Sequence, residues 1–356
     1  MIYMKSRTAM QFELGGKLVV DEVDIPDPKA NQVIVKLFSS GVCHSQIHQM
    51  HDSQFKRPVT MGHEATGIVT HLGADVTHVN EGDHVIVTWV DRFPAPGRPV
   101  KIPPGITYKG ELIHDLLAYT WGDHVLLKSN YVVPIDKRHP TDISCIVGCA
   151  VLTGAGAVLN TAKVRPGDSV AVFGVGGVGL SAVQMASILE AYPIIAVDLD
   201  DTKLEFAKEF GATHVINASK HDPVETIIEM TNGGVDFAFD AIGVQVTSQQ
   251  ILPITRSGGP GADNHGGMSV LIGVPANDTQ QLILDPTLIL YHQRQYRGSL
   301  GATYPEREFP VFLKLYEEGK FPLDKLVTKR YTLDQINEAY DDLQQGKILG
   351  RAIIEF

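Results

Sequence analysis

Ser169-Val170-Ala171-Val172-Phe173 runs directly into Gly174-Val175-Gly176-Gly177-Val178-Gly179, and the chain continues with helical periodicity over Val178–Leu189. An apolar strand, a glycine turn and a helix in that order decide the fold class. In such a turn the first glycine permits the tight bend, the second lets a pyrophosphate approach the backbone, and the third lets helix and strand pack closely. The helix start adds unpaired N–H groups and a dipole that favours phosphate. The next strand, Pro193–Val197, ends at Asp198, 19 residues after Gly179. A carboxylate there accepts hydrogen bonds from both adenosine ribose hydroxyls and repels a 2′-phosphate. Asp200 and Asp201 add to the repulsion, and no arginine stands nearby. Gly174, Gly176, Gly177, Gly179 and Asp198 therefore predict a site for NAD rather than NADP. The plainer alternative is an ordinary strand-to-helix turn without a ligand.

Outward from this stretch the same grammar repeats. Lys203–Phe210 is helical and stops at Gly211. His214–Ile216, Val235–Asp240 and Met268–Val274 are further strand candidates. Strand–helix–strand alternation predicts a doubly wound parallel sheet over 151–299. Before it, Lys17–Val23, Gln32–Phe38 and His84–Trp89 are short strands broken by turns, which predicts an antiparallel, barrel-like β domain over 1–150. After it, an apolar Phe309–Tyr316 stretch and a final Arg351–Phe356 strand suggest that 300–356 returns to the first domain. Asp91–Gly105 holds five prolines, which exclude an internal helix or central strand. Ser257–Gly267 holds five glycines in eleven residues and is expected to be a mobile surface excursion. A phosphate cradle is disfavoured there, because no strand leads straight into a helix.

Length and composition agree with this class. At roughly 100–200 residues per domain, 356 residues make two domains with a sizeable core. Three cysteines cannot make a secreted disulfide framework, because one is left over. The balance of 30 Lys+Arg against 41 Asp+Glu gives −11, which disfavours nucleic acid or an anionic membrane as partner. The first fifteen residues contain no apolar signal core, and no run of about 18 apolar residues follows. A soluble, cytoplasmic enzyme is expected.

The cysteines point to a metal. Cys43 opens Cys43-His44-Ser45-Gln46-Ile47-His48, and Gly62-His63-Glu64 follows twenty residues later. A catalytic zinc takes three ligands from Cys, His and carboxylate and keeps one position open. Half of the 14 histidines fall between His44 and His84, so a buried thiol beside a satisfied histidine remains an open alternative. Cys145 and Cys149 are four apart and share a face if helical. Spacing does not choose between them.

Together these residues resemble the zinc-dependent alcohol dehydrogenases of the medium-chain dehydrogenase/reductase superfamily. The resemblance covers nearly the whole chain. It rests on Gly41-Val42-Cys43-His44-Ser45, Gly62-His63-Glu64-Ala65-Thr66-Gly67, Gly148-Cys149 before Thr153-Gly154, the glycine turn, and Gly273-Val274-Pro275. It implies a GroES-like catalytic domain, split in sequence, and a Rossmann cofactor domain, with the active site in the cleft between them. It also implies Cys43, His63 and Cys149 as ligands of one zinc, which leaves Cys145 as a packed small hydrophobe. Ser45 matches the family's relay hydroxyl, His48 the histidine that passes the proton to solvent, and Glu64 the carboxylate near the metal. His44 and Arg351 match cations near the pyrophosphate, and Lys203 a residue flanking the adenosine. Thr153 and Val178 match packing against the nicotinamide, and Val274 belongs with these cofactor contacts. Trp89 and Trp121 fall where the family lines its alcohol pocket, and two indoles there favour flat or compact apolar substrates.

The implied chemistry is reversible. An open zinc position lowers an alcohol's pKa from about 16 toward about 7, and hydride leaves for the nicotinamide. The expected substrates are small primary, secondary or aryl alcohols and their aldehydes or ketones. Alternatives are a zinc-free enone or quinone reductase, a polyol dehydrogenase, and a non-catalytic dinucleotide-binding protein. Two departures stand out. The Pro-rich Asp91–Gly105 stretch lacks the four cysteines that hold a structural zinc in many relatives, so one zinc per chain is expected. Gln46 stands in place of a carboxylate that orients the zinc-ligating histidine, which predicts weaker zinc retention. A homodimer or homotetramer is expected, with Leu282–Leu290 as a candidate strand for edge-to-edge pairing.

Overall fold

The computed structural model describes residues 3–97, 105–114, 118–275 and 280–356. The chain divides into two compact units. One comprises Met1–Cys149, Tyr304–Gly319 and Leu323–Phe356, the other Ala150–Thr303 and Lys320–Pro322. The first boundary falls directly behind Cys149.

The first unit begins with β1 (Tyr3–Gln11), β2 (Leu18–Pro26), β3 (Gln32–Val42), α1 (Ser45–His51), β4 (Val59–Thr60), β5 (Ala65–Leu72) and β6 (His84–Val87). It continues with β7 (Thr107–Tyr108), β8 (Glu111–Leu112), β9 (His124–Lys128), β10 (Val132–Pro134) and α2 (Thr141–Ser144). β1 and β2 form an antiparallel pair registered from Tyr3 opposite Pro26 to Gln11 opposite Leu18. β3 is eleven residues long and nearly continuously buried, because it serves several partners: β9 along its start, β5 along most of its length, and the chain's last strand at its end. One of its faces supplies Val33, Val35 and Leu37 to a core shared with Val85, Val87 and Val125. The Pro-rich stretch is neither helix nor strand over 91–97; the rest of it, 98–104, lies outside the described residues.

The second unit follows the strand–helix pattern. It contains α3 (Ala150–Gly156), β11 (Val170–Phe173), α4 (Gly177–Ile188), β12 (Ile194–Asp198), α5 (Asp201–Lys208), β13 (His214–Asn217), α6 (Pro223–Met230), β14 (Phe237–Asp240), α7 (Gln245–Gln250), β15 (Met268–Leu271), α8 (Pro286–Leu290) and β16 (Gln295–Gly298). Six strands pair in the order β13-β12-β11-β14-β15-β16, all parallel. β11, with all four residues buried, is at the centre, where the strand order reverses. α5 and α6 each start at a capping side chain: Asp200 accepts from Thr202 N–H, and Asp222 accepts from Val224 and Glu225 N–H ahead of Pro223.

One expectation changes in this unit. Leu282–Leu290 is not an edge strand. Pro286 opens the short helix α8, Asp285 caps it by accepting from Thr287 N–H, and the sheet edge is β16 instead. The glycine-rich Ser257–Gly267 segment is a loop, exposed over 260–265 and hydrogen-bonded at both of its ends. Gly258 N–H donates to the His292 carbonyl, Gly266 N–H to Gln293, and Gly267 N–H to Arg256.

The chain then returns to the first unit through α9 (Pro305–Glu317), α10 (Leu323–Leu326), β17 (Val327–Thr332), α11 (Ile336–Gln344) and β18 (Arg351–Glu355). β18 pairs antiparallel with the end of β3, setting Ala352 opposite Val42, and parallel with β17. This return completes a second core around Met50, Met61, Trp121, Ile336 and Ile354. Among the described residues no single helix is long and apolar enough to cross a membrane.

Candidate functional site

Three separated segments bring their chemistry together inside the first unit. Cys43 directly follows β3, and His63-Glu64 fill the turn before β5. Cys149 directly follows a 3₁₀ turn over Cys145–Gly148. The donor atoms of Cys43, His63, Glu64 and Cys149 all lie within 4.8 Å of one another. The two sulfurs are 4.0 Å apart, and His63 Nε2 is 3.2 Å from Cys149 Sγ. Two thiolates on a tetrahedral zinc at about 2.3 Å each are about 3.8 Å apart, so the spacing and the Cys, His, Cys donor set both fit zinc. Cys149 leaves the helical region (φ −145°, ψ −66°), so it does not share a face with Cys145. Cys145 instead donates to the Asp142 carbonyl, and burial pushes its thiol pKa up.

Several contacts hold this cluster in shape. Thr88 Oγ1 donates to the Gly148 carbonyl at 2.8 Å and fixes the turn that carries Cys149. Ser40 Oγ donates to the Glu64 carbonyl, and Gly41 N–H does the same. A Cβ at Gly41 would fall on the Glu64 carboxyl group, so any side chain there must displace that carboxyl. Thr88 carried no signal in the sequence, because a hydroxyl next to a strand end has no distinguishing pattern.

The electrostatics are those of a crowded buried anion site. Cys149 hydrogen-bonds to Cys43, and with the Arg351 charge this holds the Cys43 thiol well below its ordinary pKa. The same contact and burial raise Cys149. Arg351, in β18, is itself buried. Its Nη2 is 2.7 Å from Glu64 Oε1, and its Nη1 donates to the Val42 carbonyl. Burial works against its charge, but Glu64 and the two sulfurs more than offset that and raise its pKa.

The other residues singled out in this unit divide. Ser45, at the start of α1, directs Oγ to Cys43 Sγ at 3.3 Å. His48, one turn on, is half-buried against His44, with ring centroids 5.3 Å apart. Burial and the His44 charge lower its pKa. His44 is exposed and is the N-cap residue of α1. Gln46 is buried, accepts from Cys43 N–H through Oε1, and directs Nε2 to His63 Nδ1 at 3.4 Å. Trp89 is half-buried with its indole nitrogen unpaired among the described residues. Trp121 is corrected: it is fully buried in the second core and donates its indole N–H to the Gly41 carbonyl at 3.2 Å, so no face is left for a substrate.

In the second unit the glycine turn links β11 to α4, with Gly176 as N-cap residue and no side-chain cap. A Cβ at Gly176 would meet nothing within 4 Å, so this turn is open where a phosphate would approach. A Cβ at Gly179 would fall on the Gly174 carbonyl oxygen, so helix and turn touch there. Asp198, at the end of β12, accepts from Val175 N–H through Oδ2 and from Leu199 N–H through Oδ1. These bonds fix the carboxylate beside the turn. Gly177 and Val178 open α4, and Lys203 is half-buried in α5. Thr153 in α3 has a buried hydroxyl unpaired among the described residues, and Val274, beyond β15, is 46% exposed. The donor set in one unit and the turn in the other are those a metal and a dinucleotide require.

Residues 29–137 match the alcohol dehydrogenase GroES-like domain, and residues 177–318 match the zinc-binding dehydrogenase family. S-(hydroxymethyl)glutathione dehydrogenase from Synechocystis is 35% identical over 99% of this chain and 100% of its own. The Saccharomyces cerevisiae protein of that name is 33% identical over 97% and 95%. Among solved structures, benzyl alcohol dehydrogenase from Acinetobacter calcoaceticus superposes with a TM-score of 0.88 at 30% identity, covering 99% of each chain. Matched along its whole length by such enzymes, the chain belongs to the zinc-type alcohol dehydrogenases of the medium-chain dehydrogenase/reductase superfamily.

Proposed function

We propose that this protein is an NAD-dependent alcohol dehydrogenase with one catalytic zinc per chain. In this reading it interconverts small primary, secondary or aryl alcohols with their aldehydes or ketones. The observation that carries the reading is the convergent Cys43, His63, Cys149 donor set, with both sulfurs buried and Glu64 beside them. Zinc held there supplies Lewis acidity toward an alcohol or carbonyl oxygen, and NAD supplies the hydride acceptor. Ser45 Oγ, next to the Cys43 sulfur, takes the proton an alcohol gives up. His48, whose half-buried ring is held below the ordinary histidine pKa by burial and then by the His44 charge, passes that proton to solvent. Arg351 ties Glu64 down and disfavours the carboxylate as a permanent fourth ligand.

The preference for NAD is supported by Asp198, whose charge faces the turn. Lys220, a nearby cation, is already paired with Asp201 at 2.6 Å and offers little to a 2′-phosphate. The oligomer proposed is a homodimer or homotetramer. The test measures zinc per chain, then NAD and NADP reduction across primary, secondary, aryl and polyol alcohols. Benzyl alcohol and S-(hydroxymethyl)glutathione, named in the relatives, belong in that set. We expect NAD reduction with one zinc bound and its loss in Cys149→Ala. Full activity without zinc overturns the reading.

A further inference from the structure

The geometry points to Gln46 as a positioning residue that works against the metal, making the zinc of this chain readily exchangeable. This deepens the zinc reading above and rests on it. Gln46 has one acceptor end and one donor end. Its Oε1 is taken by Cys43 N–H at 3.1 Å, and its Nε2 faces His63 Nδ1 at 3.4 Å. The other ring nitrogen, His63 Nε2, is the one that points into the donor cluster, 3.2 Å from Cys149 Sγ. A histidine that ligates through Nε2 must carry its proton on Nδ1. That N–H would then meet the Gln46 amide N–H, donor against donor. Turning the amide over relieves His63 but sets its NH₂ against Cys43 N–H. Whichever way the amide lies, either the His63 ring N–H or the buried Cys43 N–H loses its acceptor in Gln46 while the metal is held, and such a loss is costly. The tautomer with the proton on Nε2 satisfies every partner: Gln46 donates to Nδ1, and Nε2–H donates to the Cys149 sulfur. Gln46 therefore stabilises the tautomer that competes with the metal. A carboxylate of the same length has two acceptors and meets both Cys43 N–H and His63 Nδ1–H.

The test compares the zinc-loaded full chain with Gln46→Glu and the shorter Gln46→Asp. One arm follows zinc release to a chromogenic chelator, and the other reads the His63 tautomer from ¹⁵N shifts after the zinc is stripped. We expect release from Gln46→Glu to slow by about 10-fold to 100-fold, the usual range for such supporting bonds. The His63 proton is expected on Nε2 in the parent and on Nδ1 in Gln46→Glu. Equal or faster release from a folded Gln46→Glu overturns the proposal. Slower release with the tautomer unchanged also overturns it, because added charge alone then explains the effect. If Gln46→Glu does not fold, the parent tautomer decides: a proton on Nδ1 overturns the proposal. A parent chain that takes up no zinc refutes the metal reading instead, and stoichiometry separates the two failures.

Discussion

Glu64 and Arg351 are both buried, and two sulfurs share their surroundings. A buried ion pair is weak support for stability, but removing one partner leaves an uncompensated charge and costs about 3–5 kcal/mol. Arg351→Met is therefore expected to lower the urea midpoint by an amount equivalent to about 3 kcal/mol. Removing both charges, in Arg351→Met with Glu64→Gln, should restore part of that loss, because no lone charge is left behind. Additive losses in this double-mutant cycle would show that the two groups are not coupled. Gly41 belongs to the same cluster, since a Cβ there would fall on the Glu64 carboxyl group. Gly41→Ala should cost about 1–3 kcal/mol through overpacking and lower the zinc content of the purified chain.

At the scale of elements, α11 is tied to β17 by one carboxylate. Asp342 Oδ2 receives Lys329 Nζ and the Tyr331 hydroxyl, each at 2.7 Å, and Lys347 is 3.6 Å from Oδ1. The Lys329 and then the Tyr331 hydrogen bonds lower its pKa from 3.8 to about 2. A carboxyl whose folded pKa is lowered stabilises the fold above its unfolded pKa and loses that contribution as pH falls through its folded value. Asp342→Asn should therefore lower Tm at pH 7, with the gap to the parent closing between about pH 4 and about pH 2. A gap that persists unchanged at low pH would assign the loss to packing.

The turn between β11 and α4 makes a second prediction at this scale. Gly179→Ala forces helix and turn apart, so NAD affinity should fall more than 10-fold by calorimetry. This turn was legible in the sequence because glycine positions, an apolar strand and a helix start all point to one backbone path. Leu282–Leu290 was not. Short apolar runs fit strand and helix equally, and the deciding features were Pro286 at the first turn and the Asp285 cap. Spacing offered Cys43 and His63 as ligands only beside the reading of a buried thiol and a satisfied histidine, and it left Cys145 and Cys149 open, because i,i+4 spacing assumes a helix and Cys149 leaves the helical region. Trp121 was misread for a related reason. Sequence position says that an indole lies near the ligand segments, but not that its N–H turns inward to Gly41.

At the scale of the whole molecule, the proposed function puts metal and cofactor chemistry on different units. Every donor in the cluster belongs to the first, and the glycine turn with Asp198 belongs to the second. A ligand that binds one folded unit stabilises that unit by RT ln(1 + [L]/Kd), about 2.7 kcal/mol at a hundredfold excess over Kd. Units of a chain open separately when their cores are separate. The first unit has its cores around Val35 and around Trp121, and the second has its own around Phe173, Ile195 and Ala238. Stripping zinc with a chelator should therefore speed amide hydrogen exchange in peptides covering 41–46, 62–67, 145–149 and 351–355. Peptides covering β11–β16 should stay as slow as before. NAD added to the stripped chain should act the other way, giving its largest protection at 173–180 and 197–201. Mass spectrometry of the intact enzyme after peptic digestion reads both effects in one experiment. Equal acceleration in both units on zinc removal would mean that the chain opens as one cooperative block, and the division of labour between the units would then not extend to their stability.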